Sequence, residues 1–301
     1  MAQKFQLYFS IPILTSPYKS LVIRVVFFFL IFRTSKLSSG MVTMDSLAEE
    51  WEKTRLSLRD YQKEGVDAMY SWYKAGHGGI NGDEMGLGKT CQAIVLMMRL
   101  LNEENGPFLV LSPLSVCEHW VSEIQRFSCD ELDPIGYFGY AEERANILVK
   151  LGKLKKNSVF IIPYHLFRSE PAIVRNLQAS CHLKFNVVIV DEAQAIKNQD
   201  CVLAENLKPY NSHAWFLLMT GTPIQNNLDE LFSLLTFVDS AKFSDTITSR
   251  SDFVSKYKEA ENIDTLKGIL SKYMIRRTKD VVYKNLLSCD QVIIYHNITE
   301  L

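Results

Sequence analysis

The sequence predicts an α/β fold organised around a doubly wound parallel sheet, and three features predict it. Residues 108–111, 159–162, 187–190 and 215–219 are short apolar runs, continuous rather than alternating, as in strands covered on both faces. Helical stretches lie between such runs, as at 90–102, with Ala93, Ile94, Met97, Met98 and Leu101 as its apolar positions. Strand and helix therefore alternate along the chain, so consecutive strands are expected to run parallel with helical crossovers. Hydrophobic residues make up 47% of the 301 positions, enough to fill such a core. A helical extension is expected over 228–272.

Charge is unevenly distributed. The formal net charge is −1, but Lys4, Lys19, Arg24, Arg33 and Lys36 all precede the first acidic residue, Asp45. Of the 33 basic residues, 28 then remain to balance 34 acidic ones, so the body is near −6. A nucleic-acid contact must use a local basic surface rather than a global field. Residues 25–32 of the head are eight consecutive apolar residues, short of the roughly 20 that a membrane span needs. Such a head suits the core of a secretory signal, a mitochondrial transit peptide, or upstream sequence joined to a chain that starts at Met41 or Met44. The third alternative agrees best with the body that follows.

The six cysteines, at 91, 117, 129, 181, 201 and 289, include no CxxC pair, which fits a reduced intracellular compartment. Cys181-His182 offers no tetrahedral ligand set. Asn297-Ile298-Thr299 is a glycosylation sequon by chance in an intracellular chain. Lys150, Lys153, Lys155 and Lys156 read as a solvated helix end, with a phosphate contact as the lesser alternative.

Four segments carry chemistry. Gly82-Asp83-Glu84-Met85-Gly86-Leu87-Gly88-Lys89-Thr90 is a phosphate loop. A triphosphate needs several backbone N–H groups aimed at one point, and only a glycine-rich turn before a helix N-terminus packs them that closely. Lys89 would reach the β- and γ-phosphates, and the Thr90 hydroxyl would ligate Mg²⁺. The strict pattern places glycine six positions before the lysine, where this chain has Asp83.

About 100 residues on, Val187-Val188-Ile189-Val190-Asp191-Glu192 is a buried strand ending in two carboxylates, where ligands of open α/β sheets bind. Asp191 is placed to hold Mg²⁺, and Glu192 to orient or deprotonate the attacking water. Thr220-Gly221-Thr222 follows a further strand: taken alone it reads as an ordinary strand-to-loop turn or as a small polar switch that can contact both the γ-phosphate side and a nucleic-acid phosphate. Gln62 lies 27 residues before Lys89, and its amide can donate and accept at once, as an adenine edge requires.

In this order the segments resemble helicase superfamily two, and within it the SWI/SNF-like chromatin-remodelling ATPases. The resemblance runs from Leu58 to Arg277 through LRDYQKEGV, GDEMGLGKT, Ser112-Pro113-Leu114-Ser115 with Trp120, VVIVDEAQAIKN, LLMTGTPIQNNLDELFSLLTFV and Met274-Ile275-Arg276-Arg277. The wording is nearest the chromodomain-helicase-DNA-binding one-like type, with imitation-switch and chromodomain remodellers close behind.

The resemblance implies a RecA-like lobe that binds ATP through Gln62, Asp83, Glu84, Met85, Gly86, Leu87, Gly88, Lys89 and Thr90, with Mg²⁺ on Thr90 and Asp191. It implies Glu192 and Lys89 as catalytic residues. Ser112, Pro113, Gln194, Thr220, Gly221 and Thr222 would contact DNA or relay its state. It further implies double-stranded DNA and nucleosomes or histones as partners, a nuclear location, no membrane, and a second helicase lobe needed for activity. Two positions depart from the family's usual wording: Gln194 replaces a histidine, and His165 follows Pro163-Tyr164 where Thr-Tyr-Glu is usual.

The organisation expected is an atypical head at 1–45, an ATP-binding lobe at 46–285, and at 286–301 the start of a connection to a second lobe. The chain then reads as a fragment of a DNA-dependent ATPase that binds ATP without turnover by itself. The rival is a non-catalytic nucleotide- or DNA-binding interaction module. A strand-separating RNA helicase of the DEAD-box kind fits the GDEMGLGKT and GTPIQNNLDEL wording less well. Because every chemical segment lies after Leu58, a chain beginning at Met41 is expected to melt as cooperatively as the whole. Loss of that transition on removing residues 1–40 would show that the head packs on the domain.

Overall fold

The computed structural model describes residues 58–150, 154–198, 201–221, 228–243, 249–258 and 262–283. The head, residues 286–301 and Thr222 lie outside the described residues. Seven strands form one sheet: β1 (Gly79–Asn81), β2 (Phe108–Ser112), β3 (Asp133–Gly136), β4 (Ser158–Pro163), β5 (Val187–Asp191), β6 (Trp215–Met219) and β7 (Met274–Ile275). They are ordered β3-β4-β2-β5-β6-β1-β7, and every pairing is parallel. The helices are α1 (Asp60–Lys74), α2 (Lys89–Asn102), α3 (Leu114–Phe127), α4 (Ala141–Lys150), α5 (Tyr164–Ser169), α6 (Pro171–Cys181), α7 (Val202–Leu207), α8 (Leu228–Val238), α9 (Arg250–Lys258), α10 (Ile263–Tyr273) and α11 (Lys279–Val282). Among the described residues no helix is long and apolar enough to cross a membrane.

The apolar runs are continuous because the sheet is covered twice. Leu109, Leu111, Phe160, Ile162, Val188, Val190, Phe216 and Leu218 join one cluster with Phe167 of α5, Val174 of α6, Leu207 of α7, Phe232 of α8, Phe253 of α9 and Tyr273 of α10. The alternate residues Phe108, Val110, Val159, Ile161, Val187, Ile189, Leu217 and Met219 are equally buried, and strand periodicity turns them to the other face. That face is covered by α1, α2 and α3, which bury Met69, Trp72, Ile94, Met97, Trp120 and Ile124.

All four expected strands and the helix at 90–102 are present, and among the described residues the extension expected over 228–272 contains α8, α9 and α10. Three strands are additional. β3 is an edge strand containing Pro134, tolerated where no neighbour needs its missing N–H. β7 has two residues, too few to show a period. β1 has one large apolar side chain, Ile80, because Gly79 packs against an indole: a Cβ there would stand 1.8 Å from Trp72 Cε3.

That contact yields a paired expectation. Gly79→Ala must push Trp72 out of its packed position and is expected to cost about 1–3 kcal/mol, as overpacked cores do. Gly268→Ala lies in α10 with open space around the new methyl. It is expected to stabilise by roughly 0.5–1 kcal/mol through helix propensity. Urea denaturation of both variants checks the opposite signs.

Candidate nucleotide-binding site

Register brings the chemical segments to one level. Asn81 pairs with Met219 and with Ile275, and Met219 pairs in turn with Asp191. The phosphate loop after β1, the acidic pair at the end of β5, Thr220 after β6 and Arg276 after β7 therefore leave the sheet at the same edge. This is the carboxyl edge of a parallel sheet, where ligands of open α/β sheets bind.

Gly86 and Gly88 adopt φ of 88° and 77°, left-handed backbone that the turn requires. Leu87, wholly buried, anchors the loop from inside, while Met85 stays 64% exposed. The loop also carries the base-side segment. The Gln62 amide accepts from the Arg59 N–H at 3.0 Å and donates to the Leu87 carbonyl at 3.3 Å, and the Tyr61 hydroxyl donates to that carbonyl at 3.2 Å. A primary amide has a second lone pair and a second N–H, so another partner can share it. A Cβ on Gly88 would stand 2.4 Å from Gln62 Nε2.

Lys89 opens α2, and its ammonium donates to the Asp83 carbonyl at 2.7 Å. Burial pulls the Lys89 pKa down, and the carboxylates of Glu192, Asp191 and Asp83 pull it back up. Thr90 is the second residue of the same helix. Asp83 itself turns inward. Its carboxylate is wholly buried and accepts from Gln92 Nε2 at 3.1 Å and from Arg277. Its side chain is thus committed inside the lobe. Glu84 accepts from the Lys279 N–H at 2.8 Å.

Asp191, 9% exposed, is oriented from two sides: its carboxylate accepts from Trp120 Nε1 at 2.9 Å and from the Glu192 N–H at 3.0 Å. Burial raises its pKa, while the Trp120 hydrogen bond acts to lower it. Glu192 adopts φ 54°, an uncommon conformation for a side-chain-bearing residue and one that recurs at functional turns. The Tyr164 hydroxyl donates to the Asp191 carbonyl, so the Pro163-Tyr164 wording serves this turn, while His165 is exposed.

Thr220 donates to Gln194 Oε1 at 2.9 Å, which leaves Gln194 Nε2 to donate to Glu192 Oε2 at 2.9 Å. The Thr220 N–H donates to the Asn81 carbonyl at 3.1 Å. A Cβ on Gly221 would meet Met85 Cγ at 2.8 Å and approach Lys89 Nζ at 3.8 Å, so this turn abuts the phosphate loop. Ser112 lies at the end of β2 with its side chain buried, its hydroxyl 3.2 Å from Cys117 Sγ. Pro113 caps α3, the helix that carries Trp120.

Sequence reasoning missed Asn81, Gln92, Trp120 and Arg277 as parts of this site. Asn81 Oδ1 accepts from the Asp83 N–H at 3.1 Å and its amide donates to Gln92 at 3.4 Å, tying the loop to α2. A glutamine such as Gln92 among the apolar positions of a helix was the one local signal.

The left-handed glycines of the loop, an ammonium drawn to the carboxylates of Asp191 and Glu192 and a pre-oriented aspartate together fit a magnesium nucleotide. Among the described residues no cluster of three or more His, Cys, Asp or Glu forms a metal cage. Magnesium bound through one or two protein ligands and substrate phosphates needs none.

A family model described as SNF2-related domain matches residues 61–301. The chain belongs to the SNF2-related family. It is 37% identical over 260 residues to mouse (Mus musculus) chromodomain-helicase-DNA-binding protein 1-like, covering 84% of this chain and 28% of that protein. It is 36% identical over 255 residues to human (Homo sapiens) lymphoid-specific helicase, covering 79% and 30%. The SNF2-related chain thus spans under a third of either relative. Among solved structures it is similar to the Sulfolobus solfataricus SWI2/SNF2 ATPase core in complex with dsDNA, with TM-score 0.59 and 29% identity over 74% of this chain and 44% of that one. The seven-stranded parallel sheet is the RecA-like lobe of this family, an ATPase domain homologous to those of chromatin remodellers.

Trp120 gives this SNF2-related site a specific test. Trp120→Phe keeps most of the packing and removes only the donor to Asp191. It is expected to cost about 1.5–3 kcal/mol, the range for a hydrogen bond to a charged group. Urea denaturation at neutral pH measures it, and an unchanged midpoint would mean that the bond orients Asp191 without stabilising the lobe.

Proposed function

We infer that this lobe binds MgATP and serves a nuclear, DNA-dependent ATPase that translocates on duplex DNA and shifts nucleosomes. The observation that carries the reading is the convergence of Lys89, Asp191 and Glu192 at one sheet edge, with Asp191 already held by Trp120. The similarity to a SWI2/SNF2 core in complex with dsDNA and to chromodomain-helicase-DNA-binding proteins supports the choice of partner.

In this reading Lys89 exchanges the Asp83 carbonyl for the β- and γ-phosphate oxygens, and loop N–H groups between Met85 and Thr90 surround them. Gln62 meets the adenine edge with its second N–H and lone pair. Thr90 and Asp191 hold Mg²⁺, which when bound neutralises negative charge on the phosphates. Glu192 orients the attacking water. Gln194 fixes one Glu192 oxygen and is itself fixed by Thr220, so a shift of the Thr220-Gly221-Thr222 turn on a DNA phosphate reaches the base through two hydrogen bonds. An amide in place of histidine keeps those bonds without a titrating charge, so hydrolysis survives while the response to the second lobe changes. Ser112 acts from within, at the start of the helix that aims Trp120, rather than by touching DNA with its hydroxyl.

A second lobe is the partner that this site needs. An arginine supplied across the nucleotide contributes about 10³–10⁵ in rate. Arg277 is already committed to Asp83, and Arg276 lies by the Gly82 carbonyl at 3.5 Å.

The reading is tested in two stages. A ligand that binds only the native state stabilises by about 2.7 kcal/mol at a hundredfold excess over Kd, so millimolar MgATP should raise the melting temperature and Lys89→Ala should abolish most of the rise. Phosphate release is then measured with duplex DNA or RNA, for the chain alone and for the chain fused to a second lobe from a relative. Stimulation by duplex DNA only in the fusion, removed by Glu192→Gln, is the expected result. Binding without turnover in either form would favour a non-catalytic interaction module, and stimulation by RNA would favour a strand-separating helicase.

A further inference from the structure

The chain returns to the phosphate loop after β7, and there one side chain joins three separate parts of the site. Successive residues of an extended chain point opposite ways, and Arg276 is exposed while Arg277 is directed inward. The Arg277 guanidinium grips Asp83 with two prongs, Nε to Oδ1 at 3.0 Å and Nη2 to Oδ2 at 2.6 Å. Its backbone N–H adds a third bond to Oδ1 at 3.1 Å. Nη2 also reaches Gln92 Oε1 at 3.2 Å, in the helix that follows the loop, and Nη1 donates to the Tyr61 carbonyl beside Gln62. In return the Arg277 carbonyl accepts from the Glu84 N–H at 2.9 Å.

We propose that Arg277 is a positioning residue for nucleotide binding: through Asp83 it holds the phosphate loop and Lys89 in the arrangement that takes the terminal phosphates. The proposal rests on the nucleotide-binding reading above. Its physical core is the carbonyl of Asp83, which anchors the Lys89 ammonium at 2.7 Å. The group that fixes Asp83 therefore also fixes where the ammonium starts. The strict phosphate-loop pattern has glycine at this position, with no side chain to hold. Here a wholly buried carboxylate stands there instead, and its partner arrives from a residue 194 positions away. A lysine in place of Arg277 would balance the charge but could not form the two-pronged grip or span to Gln92 and Tyr61.

The test uses the full chain, with melting temperature and MgATP affinity by titration calorimetry read on the same samples. Arg277→Lys is expected to stay folded and bind MgATP about tenfold more weakly, the equivalent of one hydrogen bond to a charged group. Arg277→Gln alone strands a buried carboxylate and should melt early. The double variant Asp83→Asn with Arg277→Gln removes both charges, so it should regain most of the lost melting temperature. Its affinity should nevertheless stay about tenfold down, because two amides cannot reproduce the grip. A merely structural pair would return affinity together with stability. Either Arg277→Lys or the folded double variant binding MgATP within about twofold of wild type overturns the proposal. Failure of a different kind is separable: if wild type does not bind MgATP, or Lys89→Ala binds as well as wild type, the nucleotide-binding reading itself falls and takes the proposal with it.

Discussion

The parallel register of the sheet is the constraint on which the rest of this molecule depends. All strands point the same way, so every segment leaving a strand's carboxyl end emerges at one edge. The pairing of Asn81 with Met219 and Ile275, and of Met219 with Asp191, sets the height at which each emerges. A slip of one residue in β5 would turn Asp191 to the opposite face and bury it in apolar side chains. The apolar runs of β2, β4, β5 and β6 are buried on both faces, so it is the polar strand ends, Ser112 and Asp191, that a slip would misplace.

Within that frame the site holds charge where the surroundings resist it. Burial opposes both the protonated Lys89 and the ionised Asp191, and neighbours only partly offset it. The sign differs for the two groups. The Lys89 pKa is depressed, so its contribution to stability is present only at pH above the ordinary lysine value and is lost as pH falls through the folded one. The Asp191 pKa is raised, so its contribution is present only below the ordinary carboxylate value and is lost as pH rises through the folded one. Burial thus works against the charged form of both, the pattern of a ligand site rather than of a core selected for stability. The wholly buried Asp83 carboxylate is met by two prongs of one guanidinium.

The polar contacts that organise the site form a connected chain. Tyr61, Arg277, Asp83, Gln92 and Asn81 join the base side to the loop. Asn81, Thr220, Gln194 and Glu192 carry the connection on to the acidic turn. The members come from the ends of β1, β5, β6 and β7 and from the starts of α1 and α2, so a displacement at one exit is felt at the others. The buried Ser112 belongs with this arrangement, because it sits where β2 gives way to the helix that aims Trp120 at Asp191.

By itself the sequence determined the fold class, four of the strands, the helix after the phosphate loop and the residues expected to meet a nucleotide. It could do so because those features are local: a doubly covered strand must be an apolar run, a phosphate turn needs Gly86 and Gly88, and carboxylates at a strand end are adjacent in the chain. β1 was hidden because Gly79 makes room for Trp72, β3 because an edge strand tolerates Pro134, and β7 because two residues show no period. The departure at Asp83 was visible, but its meaning was not. Trp120 and Asp191 are 71 residues apart, and Asp83 and Arg277 are 194 apart. Only tertiary structure decided those partnerships, because a hydrogen bond is a matter of distance in space, and no residue spacing along the chain encodes which buried carboxylate a distant indole or guanidinium will reach.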